Sequence, residues 1–312
     1  MLKIVFLDSD TIGADVSLSP ISNLGEFISY PYTSKEEVAE RVKDCDVIIT
    51  NKIYIGKQEI DSAKNLKLIC VAATGTNNVD IPYATQKGIP VKNAVNYSTE
   101  SVVQVTFGMV LSMVGQMGYF DNCVKSGKYS NGRTFTDVTK CFWELKGKKY
   151  GIIGLGNIGS KVAKIAQAFG MEVVYYSTSG KPHSDEYQAY TLEKLMQECD
   201  VISVHAPLNE RTNNLITYKE LELMKPTAYI FNLGRGGIIN EDDLVKALNN
   251  NIIAGAGVDV FVKEPLPKDS AYLKLNDPSK ILLAPHIGWA SREARICLVD
   301  KIAENIKATF QL

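Results

Sequence analysis

The chain has 312 residues, a formal net charge of -1 at neutral pH, 45% hydrophobic residues and 22% charged residues. This balance is typical of a globular protein and lacks the basic excess with which proteins bind nucleic acid or anionic membranes. No apolar run approaches the ~20 residues of a membrane span, and residues 1–8 turn polar too soon for a signal peptide. We therefore expect two domains and a small-molecule partner.

The six cysteines are scattered along the chain without a C-x-x-C pair. Such spacing is typical of reduced thiols in the cytosol and does not indicate a metal site. We expect a cytoplasmic protein that carries no metal.

The first hundred residues alternate between strand and helix patterns. After an apolar strand at 2–7 and a polar loop, the predicted elements are a helix at 36–42, strands at 46–50 and 66–73, a helix at 79–87 and a strand at 89–92. This alternation predicts a parallel α/β unit.

A long apolar helix is predicted over residues 102–114, after a polar cluster at 96–101 that can cap it. We expect a hinge there, where the chain leaves the first unit. Residues 120–142 are polar and poorly periodic, and we interpret them as a surface loop or as an arm that grips a second subunit.

The stretch Gly151–Gly159 links a short apolar strand to a helix whose apolar residues recur at helical spacing. In such a turn Gly154 permits the tight bend, Gly156 lets the backbone approach a pyrophosphate, and Gly159 lets helix and strand pack closely. The phosphates then meet free N–H groups at the helix N-terminus. The stretch predicts a dinucleotide site.

Further strands are predicted at 172–176, 201–204, 228–231, 254–258 and 281–283, with helices at 192–197 and 241–248 between them. Together they predict a doubly wound sheet of about six strands. The last helix, 291–310, has no further strand to serve, so we expect it to return to the first domain. The predicted fold is thus α/β with two Rossmann-like domains. They are a smaller, flavodoxin-like substrate domain of 1–100 plus 287–312, and a dinucleotide-binding Rossmann domain of 101–286.

The residue at the end of the second strand of a Rossmann site selects between NAD and NADP, and an acid there holds the ribose 2′-hydroxyl. Here that position is Ser177, which does not repel a 2′-phosphate. Thr178 and Ser179 can donate hydrogen bonds to such a phosphate and Lys181 can supply charge. The cofactor is NAD or NADP, and Ser177 favours NADP; an ordinary loop with a solvated lysine would fit NAD.

Three strand ends carry side chains suited to catalysis. Arg235, between glycines, can clamp a carboxylate through two parallel hydrogen bonds. Glu264 precedes a proline in an apolar setting, and His286 follows the last strand, where an acid/base group is expected. Of the other two histidines, His183 lies in a polar loop, and His205 is placed to line the cofactor cleft.

Five motifs stand in one order between residues 154 and 288: Gly154–Gly159, Val204–Leu208, Asn232–Gly237, Gly257–Phe261 followed by Glu264, and Pro285–Gly288. Together they resemble the D-isomer-specific 2-hydroxyacid dehydrogenase family. The segments 97–104 and 287–295 are most similar to its glycerate dehydrogenase and hydroxypyruvate (glyoxylate) reductase branch.

The resemblance implies catalytic roles for three residues. Arg235 would hold the substrate carboxylate and polarise the carbonyl. His286 would exchange a proton with the carbonyl oxygen, and Glu264 would stabilise the protonated imidazole. Positioned proton transfer of this kind contributes roughly 10² to 10⁴ in rate.

The same resemblance implies binding residues. Substrate would meet the backbone of Thr74 and Gly75 together with Arg235, His286 and Trp289. Asp259 would hold the nicotinamide carboxamide. The full set of residues expected around the cofactor is Val102, Gly154, Gly156, Asn157, Ile158, Gly159, Ser177, His205, Ala206, Pro207, Thr212, Leu233, Gly234, Arg235, Asp259 and His286. Val102 is equally well explained as a core residue of its helix, and Trp289 as an aromatic contact ahead of the last helix.

The expected activity is hydride transfer between NAD(P)H and a small 2-oxo acid such as hydroxypyruvate or glyoxylate, giving the D-2-hydroxy acid. The family also implies a homodimer. The alternative is a catalytically weak NAD(H)-sensing binding protein of the same fold. A methyltransferase with a glycine-rich loop would leave Arg235, Glu264 and His286 unexplained.

Overall fold

The computed structural model describes residues 1–312, which form two compact units. The first unit comprises Met1–Ser98 and Ala290–Leu312, and the second unit comprises Thr99–Trp289. Residues 99–100 and 287–289, which were expected in the first domain, thus group with the second unit in the structure.

Twelve strands run along the chain, and all named strand pairs are parallel. They are β1 (Lys3–Phe6), β2 (Glu26–Ser29), β3 (Val47–Thr50), β4 (Leu68–Val71), β5 (Val91–Asn93), β6 (Lys149–Ile153), β7 (Glu172–Tyr176), β8 (Gln188–Ala189), β9 (Val201–Val204), β10 (Tyr229–Asn232), β11 (Gly255–Val258) and β12 (Ile281–Leu283).

Eleven α-helices connect and cover the strands. They are α1 (Ser19–Ser22), α2 (Val38–Val42), α3 (Lys57–Ser62), α4 (Ile81–Gln86), α5 (Thr99–Val114), α6 (Met117–Lys125), α7 (Asn157–Ala168), α8 (Leu192–Glu198), α9 (Tyr218–Leu221), α10 (Glu241–Asn249) and α11 (Arg292–Phe310).

The sheet of the first unit has the strand order β2-β1-β3-β4-β5. This is the doubly wound order of flavodoxin-like folds. Strands β3 and β4 are buried along their whole length, as their continuous apolar sequences require in a parallel sheet covered on both faces. The polar loop expected before α2 contains β2 at the sheet edge, because a four-residue strand with exposed ends carries little hydrophobic pattern.

The last helix, α11, packs on α1 and β4 of the first unit. Leu298, Ile302 and Ile306 on its inner face are fully buried. At its first turns the guanidinium of Arg295 donates to both carboxylate oxygens of Asp15, with the Nη2–Oδ2 distance at 2.9 Å. Helix and loop are therefore held together by apolar burial and one bidentate ion pair.

The sheet of the second unit has the order β12-β11-β10-β9-β6-β7-β8. When β6 to β12 are numbered 1 to 7 along the chain, this is the Rossmann order 3-2-1-4-5-6, with β12 as a seventh strand beyond the sixth. The sequence predicted about six strands, and the one that it did not predict is β8, which has only two residues and is too short to show a pattern. The predicted fold class, α/β with two Rossmann-like domains, is confirmed.

The second unit begins with α5, whose residues Val102, Phe107 and Val110 are buried in its core. Helix α6 follows at a 63° bend, so residues 120–125, which were expected to be loop, are helical. The bend occurs at Gln116, whose φ of 53° interrupts the helical backbone. No single helix has the length and hydropathy of a membrane span, and α5 and α6 reach it only when taken together across this bend.

Candidate active site

The glycine turn lies between the end of β6 and the start of α7, at the centre of the second sheet. Gly154 has a φ of 94°, and a Cβ there would lie 2.9 Å from the backbone nitrogen of Ala206. A Cβ on Gly159 would lie 2.3 Å from the carbonyl oxygen of Gly154. A Cβ on Gly156 would meet no atom within 4 Å. Two glycines are thus required by packing, and the third leaves open space at a helix N-terminus.

That open space suits a pyrophosphate. Helix α7 is 12 residues long and begins directly after Gly156, and the first N–H groups of an α-helix have no acceptor within the helix itself. The helix dipole favours negative charge at the same end. The residues present therefore fit a dinucleotide, as the sequence predicted for this stretch.

The loop after β9 lies beside this turn. His205 begins it, with Nε2 at 2.9 Å from the hydroxyl of Ser203, while its Nδ1 is buried without a hydrogen-bond partner. Burial lowers the pKa of His205 to about 3, which favours a neutral ring at physiological pH. Thr212, which is buried, donates to the carbonyl of Pro207 at 2.6 Å and fixes the loop.

The loop after β7 carries Ser177. Its hydroxyl donates to the carbonyl of Lys181 at 2.5 Å and lies 3.1 Å from the hydroxyl of Ser179. The sequence analysis did not predict one contact of this loop. Arg211, from the loop after β9, donates to the carbonyl of Ser179 at 3.3 Å. The sequence signal for it was a basic residue just before the buried Thr212, although the partner lies 32 residues away.

Arg235 follows β10 in a tight turn that glycines make possible. A Cβ on Gly236 would lie 2.0 Å from the backbone carbon of Phe261, so this turn packs directly against the loop after β11. Gly234 donates to the side chain of Asn232, and the same side chain donates to the carbonyl of Arg235 at 2.9 Å. Leu233 is buried beneath the turn. The backbone of Arg235 is therefore held at the carboxyl end of its strand.

Glu264 and His286 form a hydrogen-bonded pair in the site. The Oε2 atom of Glu264 lies 2.7 Å from Nδ1 of His286, and its Oε1 atom accepts the backbone N–H of Phe261 at 3.0 Å. The carboxylate is thus fixed by backbone on one side and oriented toward the imidazole on the other. Because Nδ1 faces the carboxylate, Nε2 is the ring nitrogen on the opposite side of the imidazole.

Asp259 holds the turn that carries His286. Only 2% of Asp259 is exposed, and its two carboxylate oxygens accept the backbone N–H groups of Ile287 and Gly288, each at 2.8 Å. His286 has a left-handed φ of 54°, a conformation that is unfavourable outside glycine and needs surrounding contacts to hold it. Burial raises the pKa of Asp259, while the two amides oppose that shift.

The remaining predicted residues divide between the two units. Val102 lies beside the same turn, because a Cβ on Gly288 would come within 3.7 Å of its Cγ2 atom. Trp289 is half-buried at the end of the second unit. Thr74 and Gly75 follow β4 in the first unit, where the hydroxyl of Thr74 donates to the carbonyl of Ala94 at 3.0 Å.

The carboxyl ends of β10, β11 and β12 thus supply Arg235, Asp259 and His286, and these three strands are neighbours. Ligands of open α/β sheets bind outside the carboxyl ends of the strands. No group of three or more His, Cys, Asp or Glu side chains could hold a metal ion. An imidazole, a carboxylate and a guanidinium at one edge suit acid/base chemistry on a carboxylic acid.

The glycine geometry makes a testable prediction. Gly159→Ala forces a methyl group against the Gly154 carbonyl, and we expect it to destabilise the protein by roughly 1–3 kcal/mol in urea unfolding. Gly156→Ala places its methyl in open space, so we expect its stability to stay within about 1 kcal/mol of the parent while NAD(P)H binding is lost. Fluorescence titration measures the binding. Full affinity in Gly156→Ala would contradict the assigned position of the pyrophosphate.

Comparison with known proteins agrees with this chemistry. The family model described as D-isomer specific 2-hydroxyacid dehydrogenase, NAD binding domain, matches residues 107–288. A hydroxypyruvate reductase of Blautia hydrogenotrophica is 36% identical over 98% of this chain and 96% of its own. A glycerate dehydrogenase of Methylorubrum extorquens is 33% identical over 98% of this chain and 95% of its own.

A solved structure extends the comparison to the fold. It is an NADPH-dependent glyoxylate/hydroxypyruvate reductase of Sinorhizobium meliloti in complex with NADP and malonate. It superposes with a TM-score of 0.84 at 25% identity, covering 99% of this chain and 93% of its own. The chain therefore belongs to the D-isomer specific 2-hydroxyacid dehydrogenase family, in its hydroxypyruvate reductase and glycerate dehydrogenase branch.

Proposed function

We propose that this enzyme reduces a small 2-oxo acid of the hydroxypyruvate or glyoxylate type to the D-2-hydroxy acid, using NAD(P)H. The observation that carries the proposal is the Glu264–His286 pair at 2.7 Å, with His286 after β12, Asp259 after the adjacent β11 and Arg235 after β10, the next strand along. The branch supports it, since relatives bear the names hydroxypyruvate reductase, glyoxylate reductase and glycerate dehydrogenase.

Each charged side chain then has a role. The bound nicotinamide supplies the hydride that reaches C2 of the substrate. The guanidinium of Arg235 binds the substrate carboxylate and polarises the 2-oxo group. Nε2 of His286 donates a proton to the oxygen at C2, and in the oxidation direction accepts it back.

Two carboxylates position the imidazole. Glu264 orients the ring through its hydrogen bond with Nδ1, which leaves Nε2 as the nitrogen available to the substrate. Asp259 fixes the backbone turn of His286. The resemblance further assigns the nicotinamide carboxamide to Asp259, and a carboxylate oxygen that accepts one amide retains a second lone pair for it.

Substrate size and the remaining contacts follow from the family resemblance. The backbone of Thr74 and Gly75 would bind the substrate carboxylate from the first unit, and Trp289 would limit the side chain at C3. The glycine turn, the loop with His205, Ala206 and the fixed Pro207–Thr212 segment would hold the dinucleotide. We favour NADP over NAD because Ser177 leaves the ribose end without an acid.

We also propose a homodimer in which residues 120–142 grip the partner. Several large apolar side chains are exposed on this segment: Val124, Tyr129, Phe135, Val138 and Phe142. Phe135 and Val138 are 90% and 81% exposed, and apolar exposure of this kind marks interaction surfaces.

A cytoplasmic location is supported by the cysteines, since all six are free thiols and four of them are buried.

Initial rates with hydroxypyruvate, glyoxylate, pyruvate and a branched 2-oxo acid, each with NADH and NADPH, test the reaction. We expect the first two acids to be preferred.

His286→Ala should lower kcat by roughly 10² to 10⁴, because the proton donor is lost. Glu264→Gln should cause a smaller loss, since an amide can still hold the ring but carries no charge. Dinucleotide binding without turnover of any acid would instead favour a sensor of NAD(H).

The dimer is tested by light scattering on the double variant Phe135→Ser, Val138→Ser. We expect the parent to be dimeric and the variant to shift toward monomer, because two exposed apolar groups of the grip are removed. Leu273→Ser is the matched control, as Leu273 is 57% exposed in the second unit outside this segment. A parent that is monomeric at micromolar concentration would refute the proposal.

A further inference from the structure

The loop after β7 is rich in hydrogen-bond donors and free of acids. Residues 177–183 contain Lys181 and His183 and no Asp or Glu. The hydroxyl of Ser179 lies 2.8 Å from Nε2 of His183, and that of Ser177 donates to the carbonyl of Lys181. The loop is therefore a compact turn whose side chains offer hydroxyl, ammonium and imidazole groups at the end of the second Rossmann strand.

Arg211 reaches this turn from a different part of the sheet. In the strand order, β9 and β7 stand on either side of β6, which carries the glycine turn. Arg211 follows β9, and its Nη1 donates to the carbonyl of Ser179, which follows β7. The two loops thus meet above the end of β6, where the adenosine half of a dinucleotide lies in this fold.

The backbone beneath Arg211 is fixed, while its side chain is exposed. Its N–H donates to the side chain of Asn209 at 2.9 Å, and the N–H of Asn209 donates to Thr212 at 2.8 Å. The guanidinium itself makes one long contact, 3.3 Å, so most of its five donors are uncommitted by that bond. The acid next to it in the chain, Glu210, is exposed.

We infer that Arg211 is a specificity-determining residue that binds the 2′-phosphate of NADP(H) beside the turn that carries Ser177 and Lys181. A phosphate monoester is a dianion with several acceptor oxygens, which a guanidinium binds bidentately. The bond to Ser179 aims the guanidinium at the turn that an acid occupies in NAD-selective sites. The inference rests on the proposed nicotinamide site and names the group within it that distinguishes the two cofactors.

Binding of adenosine nucleotides tests the proposed role of Arg211 without requiring the reduction of a 2-oxo acid. Calorimetric titration compares 2′,5′-ADP with 5′-AMP, which lacks the 2′-phosphate, and fluorescence titration compares NADPH with NADH. We expect the parent to bind 2′,5′-ADP at least tenfold more tightly than 5′-AMP. Arg211→Gln should weaken 2′,5′-ADP and NADPH about tenfold or more, or about 1.4 kcal/mol, and leave 5′-AMP and NADH within about twofold.

Two further variants make the result specific. Arg211→Lys keeps the charge without the fork and should retain part of the 2′,5′-ADP affinity. Lys219→Gln removes an exposed cation elsewhere in the second unit and should change neither ligand. Equal binding of 2′,5′-ADP and 5′-AMP by the parent, or equal losses for both in Arg211→Gln, would overturn the inference.

These outcomes separate the inference from the proposed reaction. Preference for 2′,5′-ADP that depends on Arg211, in a protein that turns over no 2-oxo acid, would sustain the 2′-phosphate site and reject the reductase. Reduction of hydroxypyruvate with NADH, together with no preference for 2′,5′-ADP, would sustain the reductase and reject the role of Arg211.

Discussion

Asp259 sets the geometry on which the proposed chemistry depends. A carboxylate that is almost fully buried must be satisfied by donors, and here the two donors are the consecutive backbone amides of Ile287 and Gly288. Because those amides belong to the turn directly after His286, satisfying the buried charge also holds the left-handed backbone of the histidine. Glu264, anchored to the N–H of Phe261, then meets a ring whose position is already restricted. The proposed acid/base pair is therefore positioned by main-chain contacts, and such contacts are independent of substrate.

Within the glycine turn at residues 154–159, two glycines are needed for packing and one is placed for ligand binding. Gly154 and Gly159 are required by neighbouring backbone, and Gly156 is the position that a ligand can approach. The loops after β7 and β9 close on either side of this turn, joined by Arg211 and Ser179. The proposed cofactor and catalytic residues thus occupy different strand ends of one sheet, with the half-buried His205 beside the glycine turn and His286 beyond β12.

The fold was largely predictable because parallel strands buried on both faces carry long apolar runs, as in β3 and β4. Short edge strands were not, since β2 and β8 have too few residues to show a period. Helix α6 escaped prediction because its polar and glycine residues resemble a loop. Motif order identified the family and proposed Arg235, Glu264 and His286. The sequence did not predict the hydrogen bonds between Asp259 and the turn after His286, or the contact between Arg211 and Ser179. The partners in these contacts lie 28 to 32 residues apart in the chain and meet only when the sheet forms.

An isotope-labelling experiment that locates the transferred hydride in the product tests the central claim most directly. Hydroxypyruvate is incubated with the enzyme and a reduced cofactor carrying deuterium at both C4 positions, and the product is analysed by mass spectrometry and chiral chromatography. The account predicts D-glycerate with one deuterium, bonded to C2, since hydride is delivered to that carbon while His286 protonates the oxygen. Product of the L configuration, or product without deuterium at C2, would contradict it.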